Sequence, residues 1–288
     1  MNIRTDLAME AREALGGDAP RGVTQQIFQR NGFCLTRVEI QTKEGAEILG
    51  KPVGTYTTIE HASLCNADDA QRDVCAALLT QELRAMLPEN VDRGCVLVVG
   101  LGNRRVTPDS LGPCAAGHVF VTRHMIEALQ ITSLEGVPLQ NVCSLSPGVL
   151  GVTGIETELV VKSLCRSLRP SCVICIDSLA SMKTSRLLST VQLSDSGISP
   201  GSGVGNHNAA LDSDSLGVPV IAVGVPTVVY ASVIVRDAGA DHLALSREDD
   251  MLVTPRNIDE ATEILSSIIG RGINMALQPR LDPSLMQM

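Results

Sequence analysis

Two short runs decide the architecture: CVLVVG at residues 95–100 and CVICID at residues 172–177. Each is a continuous apolar stretch rich in Val and Ile, and each is too short for a helix. Runs of this kind read as strands buried on both faces, the pattern of a parallel sheet covered by helices. Working outward, VCSL (142–145), Leu187 to Leu193 and Val218 to Val225 read as further strands. Helical periodicity fills the intervals. Val74, Leu78, Leu79, Leu83 and Leu87 recur on one face of a helix from Asp68 to Leu87, and Glu156 to Leu168 is a second. Gly112-Pro113 opens a helical stretch to about Leu129. Ile264, Leu265, Ile268 and Ile269 mark a closing helix from Ile258 to Leu277. A helix is also expected after Asp177, with that residue as its cap.

The N-terminal part differs. Thr5 to Leu15 reads as a helix capped by Thr5 or Asp6 and ended by Gly16-Gly17. Phe33 to Thr42 alternates apolar and polar residues, Pro52 to Ile59 is rich in Thr and Val, and the two read as a hairpin around Glu44-Gly45. No linker divides the chain. The expected fold is one α/β domain: a mixed, mostly parallel sheet sandwiched between helices, with an N-terminal β-hairpin.

Composition removes several function classes. The 288 residues carry 23 Lys and Arg against 32 Asp and Glu, a formal charge of −9, so the broad positive field of a nucleic-acid binder is missing. Three Phe, two Tyr and no Trp leave no aromatic platform for stacking bases. The most apolar stretch, Pro219 to Val235, is interrupted by Gly224, Pro226 and Thr227 and is shorter than the ~20 residues of a membrane-spanning helix. The N-terminus has no apolar signal region. Nine irregularly spaced cysteines read as free thiols of a reducing cytoplasm. Cys172 and Cys175 fall in one strand at a spacing that sends them to opposite faces, so they do not form a redox or metal pair.

The chemistry belongs at the carboxyl ends of the strands, where open α/β sheets bind ligands. Two strands deliver acids there: CVICI runs into Asp177, and CVLVVG runs into the loop that carries Asp109. Each alone has a structural explanation, Asp177 as a helix cap and Asp109 as the cap of a turn after Thr107-Pro108. Together they can share one proton and activate a water. Gly100-Leu101-Gly102 lacks the third glycine of a dinucleotide loop, because position 105 is Arg105. No nucleophile elbow is expected, and there is no paired-histidine zinc motif. His207, beside the glycine-rich stretch Ser194 to Asn206, is the one plausible metal ligand, and no metal or other cofactor is expected.

Several longer motifs carry a resemblance. IRTDLAMEA (3–11), VVGLGNRRVTPDSLGP (98–113), VTRH (121–124), PGVLGVTGIET (147–157), IDSLAS (176–181), QLSDSGISPGSGVGN (192–206) and LGVPVIAVGVPTVV (216–229) are similar to the germination protease, or spore endopeptidase, family of spore-forming Firmicutes. The resemblance runs over essentially the whole chain. It implies an endopeptidase that degrades small acid-soluble spore proteins in the spore core, a fold like that of hydrogenase maturation peptidases, and a homotetramer. It implies an atypical aspartic mechanism, with the two family aspartates at Asp109 and Asp177. It also implies a zymogen that cuts itself after an acidic residue, here between Asp6 and Leu7. Residues 1–6 would then be a short propeptide and 7–288 the protease domain. Only Met1-Asn2-Ile3 precede Arg4, a shorter lead than the family usually has.

Overall fold

The computed structural model describes residues 5–62, 64–201, 209–239 and 251–286. In chain order the first elements are α1 (Ala8–Leu15), β1 (Val23–Arg30), β2 (Phe33–Ile40), α2 (Lys43–Leu49), β3 (Gly54–Glu60) and α3 (Asp69–Met86). The middle holds β4 (Val96–Gly100), α4 (Leu111–Gly117), α5 (Arg123–Glu127), the two-residue strands β5 (Ser133–Leu134) and β6 (Val137–Pro138), β7 (Val142–Leu145), α6 (Leu150–Thr153) and α7 (Thr157–Leu168). The last part holds β8 (Cys172–Ser181), β9 (Thr190–Ser194), α8 (Ser213–Leu216), β10 (Val220–Tyr230), α9 (Ala231–Asp237), β11 (Leu252–Val253) and α10 (Ile258–Leu277).

One mixed sheet runs in the order β1-β2-β3-β9-β10-β8-β4-β7, with β11 pairing β10. Strands β10, β8, β4 and β7 are mutually parallel, and the side from β1 to β9 is antiparallel. The alternation of β8 sorts the core. Cys172, Ile174 and Ile176 face α3, α4 and α10, while Val173 and Cys175 face α7 and α8. Cys172 and Cys175 therefore lie on opposite faces, and all nine cysteines are free thiols. On the second face α1 and α2 cover the antiparallel half through Leu7, Ala8, Met9, Val38, Ile40 and Tyr56. The mixed sheet between helix layers is the fold read from the sequence.

Four local expectations are corrected. No helix follows Asp177: β8 continues to Ser181 because β10 supplies a parallel partner from Val220↔Val173 to Val229↔Ser181. A capping aspartate was a local signal, and the long apolar run of β10 overrides it. The strands β2 and β3 do pair, but α2 connects them. The tight hairpin is β1–β2 at Asn31-Gly32, where φ values of 51° and 85° supply the two left-handed residues of a type I′ turn. Helix α1 begins at Ala8, so Asp6, in a bend, and Leu7, in extended conformation, precede it. The stretch expected as one helix from Gly112 to about Leu129 is broken into α4 and α5.

Candidate active site

The site is set by how closely backbone approaches backbone beyond the end of β4. A Cβ on Gly100 would lie 2.2 Å from the Gly112 carbonyl oxygen, and one on Gly112 would lie 2.2 Å from Leu101 O and 2.4 Å from Ile176 O. Glycine at both places lets the start of α4 sit directly on the strand ends. The Leu101 N–H continues the ladder by donating to Ile176 O at 2.8 Å. Gly102, at φ 111°, lies under Asp109, and a Cβ there would be 2.1 Å from the Asp109 carbonyl oxygen. The glycines that suggested a dinucleotide loop thus serve this packing.

Asp109 ends a single 3-10 turn, Thr107–Asp109. The Asn103 N–H donates to its Oδ2 at 2.8 Å and to its carbonyl oxygen at 2.9 Å. The turn is tied to the sheet by Thr227, whose hydroxyl donates to Pro108 O at 2.7 Å. Thr227 is the extra residue of a bulge, since the β10–β8 register shifts between Pro226 and Val228. A bulge of this kind re-aims a side chain, here at the loop that holds Asp109.

Asp177 lies in the middle of β8, opposite Gly224 of β10, and is 4% exposed. The Ser178 N–H donates to its Oδ1 at 2.9 Å. Burial, then the charge of Asp109, push the Asp177 carboxyl well above the ordinary aspartate range, and Asp6 adds to the same direction. Burial also raises Asp109, against the opposing Asn103 hydrogen bond. Asp109 is only half-buried, so the two acids are unequal: Asp177 holds a proton longer, and Asp109 ionises first.

Both aspartates line one cleft of about 610 Å³, walled by Val106, Leu150, Thr227 and Leu252. Asp177 also lines a neighbouring cleft of about 720 Å³ that reaches Lys51, Tyr56 and Gln192. Asp6 borders both. The sequence-predicted residues Asp6, Asp109 and Asp177 are therefore brought together around one strand, β8. Pro200 and Gly201, the described part of the glycine-rich stretch that reaches the cleft, line it too. His207 lies outside the described residues. Among the described residues no three His, Cys, Asp or Glu side chains cluster as a metal site.

The profile of the germination protease family matches residues 5–245. The chain belongs to the germination protease family. It is thus a peptidase with a role in spore germination. The germination protease of Clostridium perfringens is 39% identical, over 97% of this chain and 96% of that protein. That of Caldanaerobacter subterraneus is 40% identical over 98% and 96%, and that of Bacillus subtilis 42% over 82% and 65%. A solved [NiFe] hydrogenase maturation protease from Thermococcus kodakarensis aligns over 67% of this chain and 98% of its own, with 14% identity and a TM-score of 0.33.

In this peptidase several residues at the site were not singled out from the sequence, although Asn103, Gln192 and Thr227 fall inside the quoted motifs. Thr227 sits in an apolar strand, Asn103 contributes a backbone N–H, and Lys51 and Gln192 meet the N-terminal segment from distant elements. The Thr227 hint, a polar residue after Pro226 in a buried run, was visible only as an interruption. No helix among the described residues is long and apolar enough to cross a membrane.

Proposed function

We propose that this peptidase is an aspartic-type endopeptidase in which Asp109 and Asp177 divide the work. The ionised Asp109 takes the proton of a water, and the protonated Asp177 donates to the scissile carbonyl oxygen as the tetrahedral species forms. No covalent intermediate is needed. The single observation that supports this is the pair itself: two carboxylates on one cleft, one fully buried and raised further by the other's charge.

The substrate class is small acid-soluble spore protein, in the spore core, and the chain is made as a zymogen that releases residues 1–6. The placement of Asp6-Leu7 supports this. The bond lies ahead of α1 and beside Asp177, where the Asp6 N–H donates to Ala180 O at 3.0 Å and Gln192 Nε2 donates to the Asp6 carbonyl at 3.1 Å. No helix has to unwind for it to reach the acids, contrary to the expectation from the sequence. Leu7 is fully buried and α1 is pinned, so the segment holds the cleft until it is released. Acidification favours the singly protonated pair and is the trigger we assign. The active form is a homotetramer, which sedimentation of the processed protein checks.

Chain freed of residues 1–6, by mild acid for wild type and by wild-type chain in trans for the variants, is incubated with a small acid-soluble spore protein, with and without chelator. Asp109→Asn and Asp177→Asn should each lower cleavage by about 10²–10⁴-fold, and the double variant should be little worse, because the pair acts as a unit. Wild-type activity should survive the chelator. Near-normal turnover by Asp109→Asn contradicts the proposal. N-terminal sequencing after mild acid should give a product starting at Leu7, absent from Asp177→Asn.

A further inference from the structure

Away from the cleft, two of the nine free thiols meet: Cys95 and Cys143 place their Sγ atoms 3.4 Å apart. Strand geometry brings them together. Strands β4 and β7 are parallel neighbours with Leu97 opposite Cys143. Val96, Val98 and Val142 face α3, α4 and α10, so Leu97 and Cys143 share the other face, and alternation returns Cys95 to it. The backbone at Cys95 is tied on both sides. Its carbonyl accepts from the Ser171 N–H at 2.8 Å, and the next residue, Val96, donates to Asn141 O at 2.8 Å. A disulfide of ~2.05 Å asks the two sulfurs to close by about 1.4 Å. Among the described residues no other two cysteine sulfurs are in hydrogen-bond contact.

The pair sits in a polar frame. Arg123 of α5 pairs with Glu127, and Glu127 also accepts from Asn141 Nδ2 at 3.3 Å. The Cys143 thiol donates to Cys95 and, helped by the Arg123 guanidinium, brings the Cys95 thiol down to about 7 against burial and the charge of Glu127. The same contact pushes Cys143 up. Burial alone pushes Cys75 and Cys172 up to about 12. Cys95 is therefore the thiolate of the two, and Cys143, half-buried on the edge strand, is the thiol that can resolve it. The cleavage chemistry leaves both idle, because Cys95 precedes β4 and Asp109 lies beyond its other end.

We propose that Cys95 and Cys143 are a redox modification site: a hydroperoxide converts them to a reversible disulfide that staples β7 to β4. The Cys95 thiolate attacks one oxygen of hydrogen peroxide, the O–O bond breaks, and hydroxide leaves to take up the proton that Cys95 gave up. Cys95 is then a sulfenic acid. The Cys143 sulfur attacks the Cys95 sulfur, the S–O bond breaks, and the departing hydroxide leaves as water with the Cys143 proton. Two thiols lose two electrons and two protons, and one peroxide becomes two waters. The staple falls where the sheet is held least. Strand β7 ends the sheet with β4 as its partner, and it runs on to Leu150 in the cleft wall. The chain between the two cysteines carries Asp109 and α4, so the bond closes the base of that segment and narrows the unfolded ensemble.

The test treats the purified chain with a small excess of hydrogen peroxide, quenches with catalase, and alkylates in denaturant without reductant. Wild type should lose two of its nine alkylatable thiols and yield a cross-linked peptide that joins Cys95 to Cys143. Dithiothreitol should restore all nine. The oxidised chain should melt about 5 °C above the reduced one. Cys143→Ser, which keeps a donor beside Cys95, should stop at a Cys95 sulfenic acid that dimedone traps, and Cys95→Ser should give neither product. A wild-type chain that keeps its nine thiols, or whose disulfide joins any other pair, overturns the proposal without recourse to a variant. An oxidised chain that melts at or below the reduced one overturns the staple.

Discussion

The two walls of the cleft are built differently. On the Asp109 side, backbone lies on backbone: Gly100, Gly102 and Gly112 leave no room for a Cβ, and the loop is closed by main-chain bonds. On the Asp6 side, a peptide segment is gripped by charged and amide side chains, Lys51, Gln192 and Glu10, with Arg186 behind them. The first wall has one arrangement and fixes Asp109, which we propose as the catalytic base. The second is a set of hydrogen bonds that a different peptide can satisfy. The zymogen we propose, which would hold one carboxylate rigidly and exchange its N-terminal segment for a substrate, needs both.

The contrast can be broken most forcefully at Arg186. Its side chain is 9% exposed and pairs with Glu10, Glu13 and Glu60 at 3.2, 2.6 and 3.0 Å. Arg186→Ala leaves a buried glutamate unpaired and should cost about 3–5 kcal/mol in urea unfolding. It should also free α1 to exchange its amide protons faster. Gly112→Ala attacks the other wall. The added carbon meets two carbonyl oxygens that cannot move aside, so about 3 kcal/mol of stability and most of the cleavage activity should be lost together. A variant of normal stability and activity would show that the glycine contact is not what places Asp109.

Thr227→Val is a finer probe. It keeps the shape and removes the bond to Pro108 O, so stability should fall by about 1 kcal/mol while cleavage falls more than stability explains. Thr227→Ser should restore cleavage. The smallest effect is one of pH. Asp177 has its folded pKa raised, so the folded state binds the extra proton and wild-type stability declines as pH climbs from the unfolded value, about 4, through the folded one. Asp177→Asn removes that slope. The variant should gain stability over wild type as pH rises to neutrality and lose the gain toward pH ~4.

Much of this was legible in the sequence where a signal was both local and repeated. The buried runs at 95–100 and 172–177 placed β4 and β8, and helical periodicity placed α3, α7 and α10. The ends of the two buried runs point to Asp109 and Asp177 independently of the resemblance. What failed depended on partners distant in sequence. Ser181 is strand because β10 lies beside it, and no residue in IDSLAS announces that. The Asn31-Gly32 turn was readable, but the alternation of β2 drew attention to the wrong connection. Thr227 and Lys51 act through a bulge and a turn, whose aim is a tertiary property.

The central claim is that the two aspartates are unequal, with Asp177 the acid that keeps its proton. Carboxyl ¹³C NMR titration of the chain, with Asp177 assigned through Asp177→Asn, tests it directly. Asp177 should titrate well above the ordinary aspartate range, and the shift should shrink in Asp109→Asn as the neighbouring charge is removed. An Asp177 that titrates at or below the ordinary range, or whose titration is unmoved by Asp109→Asn, would contradict the account.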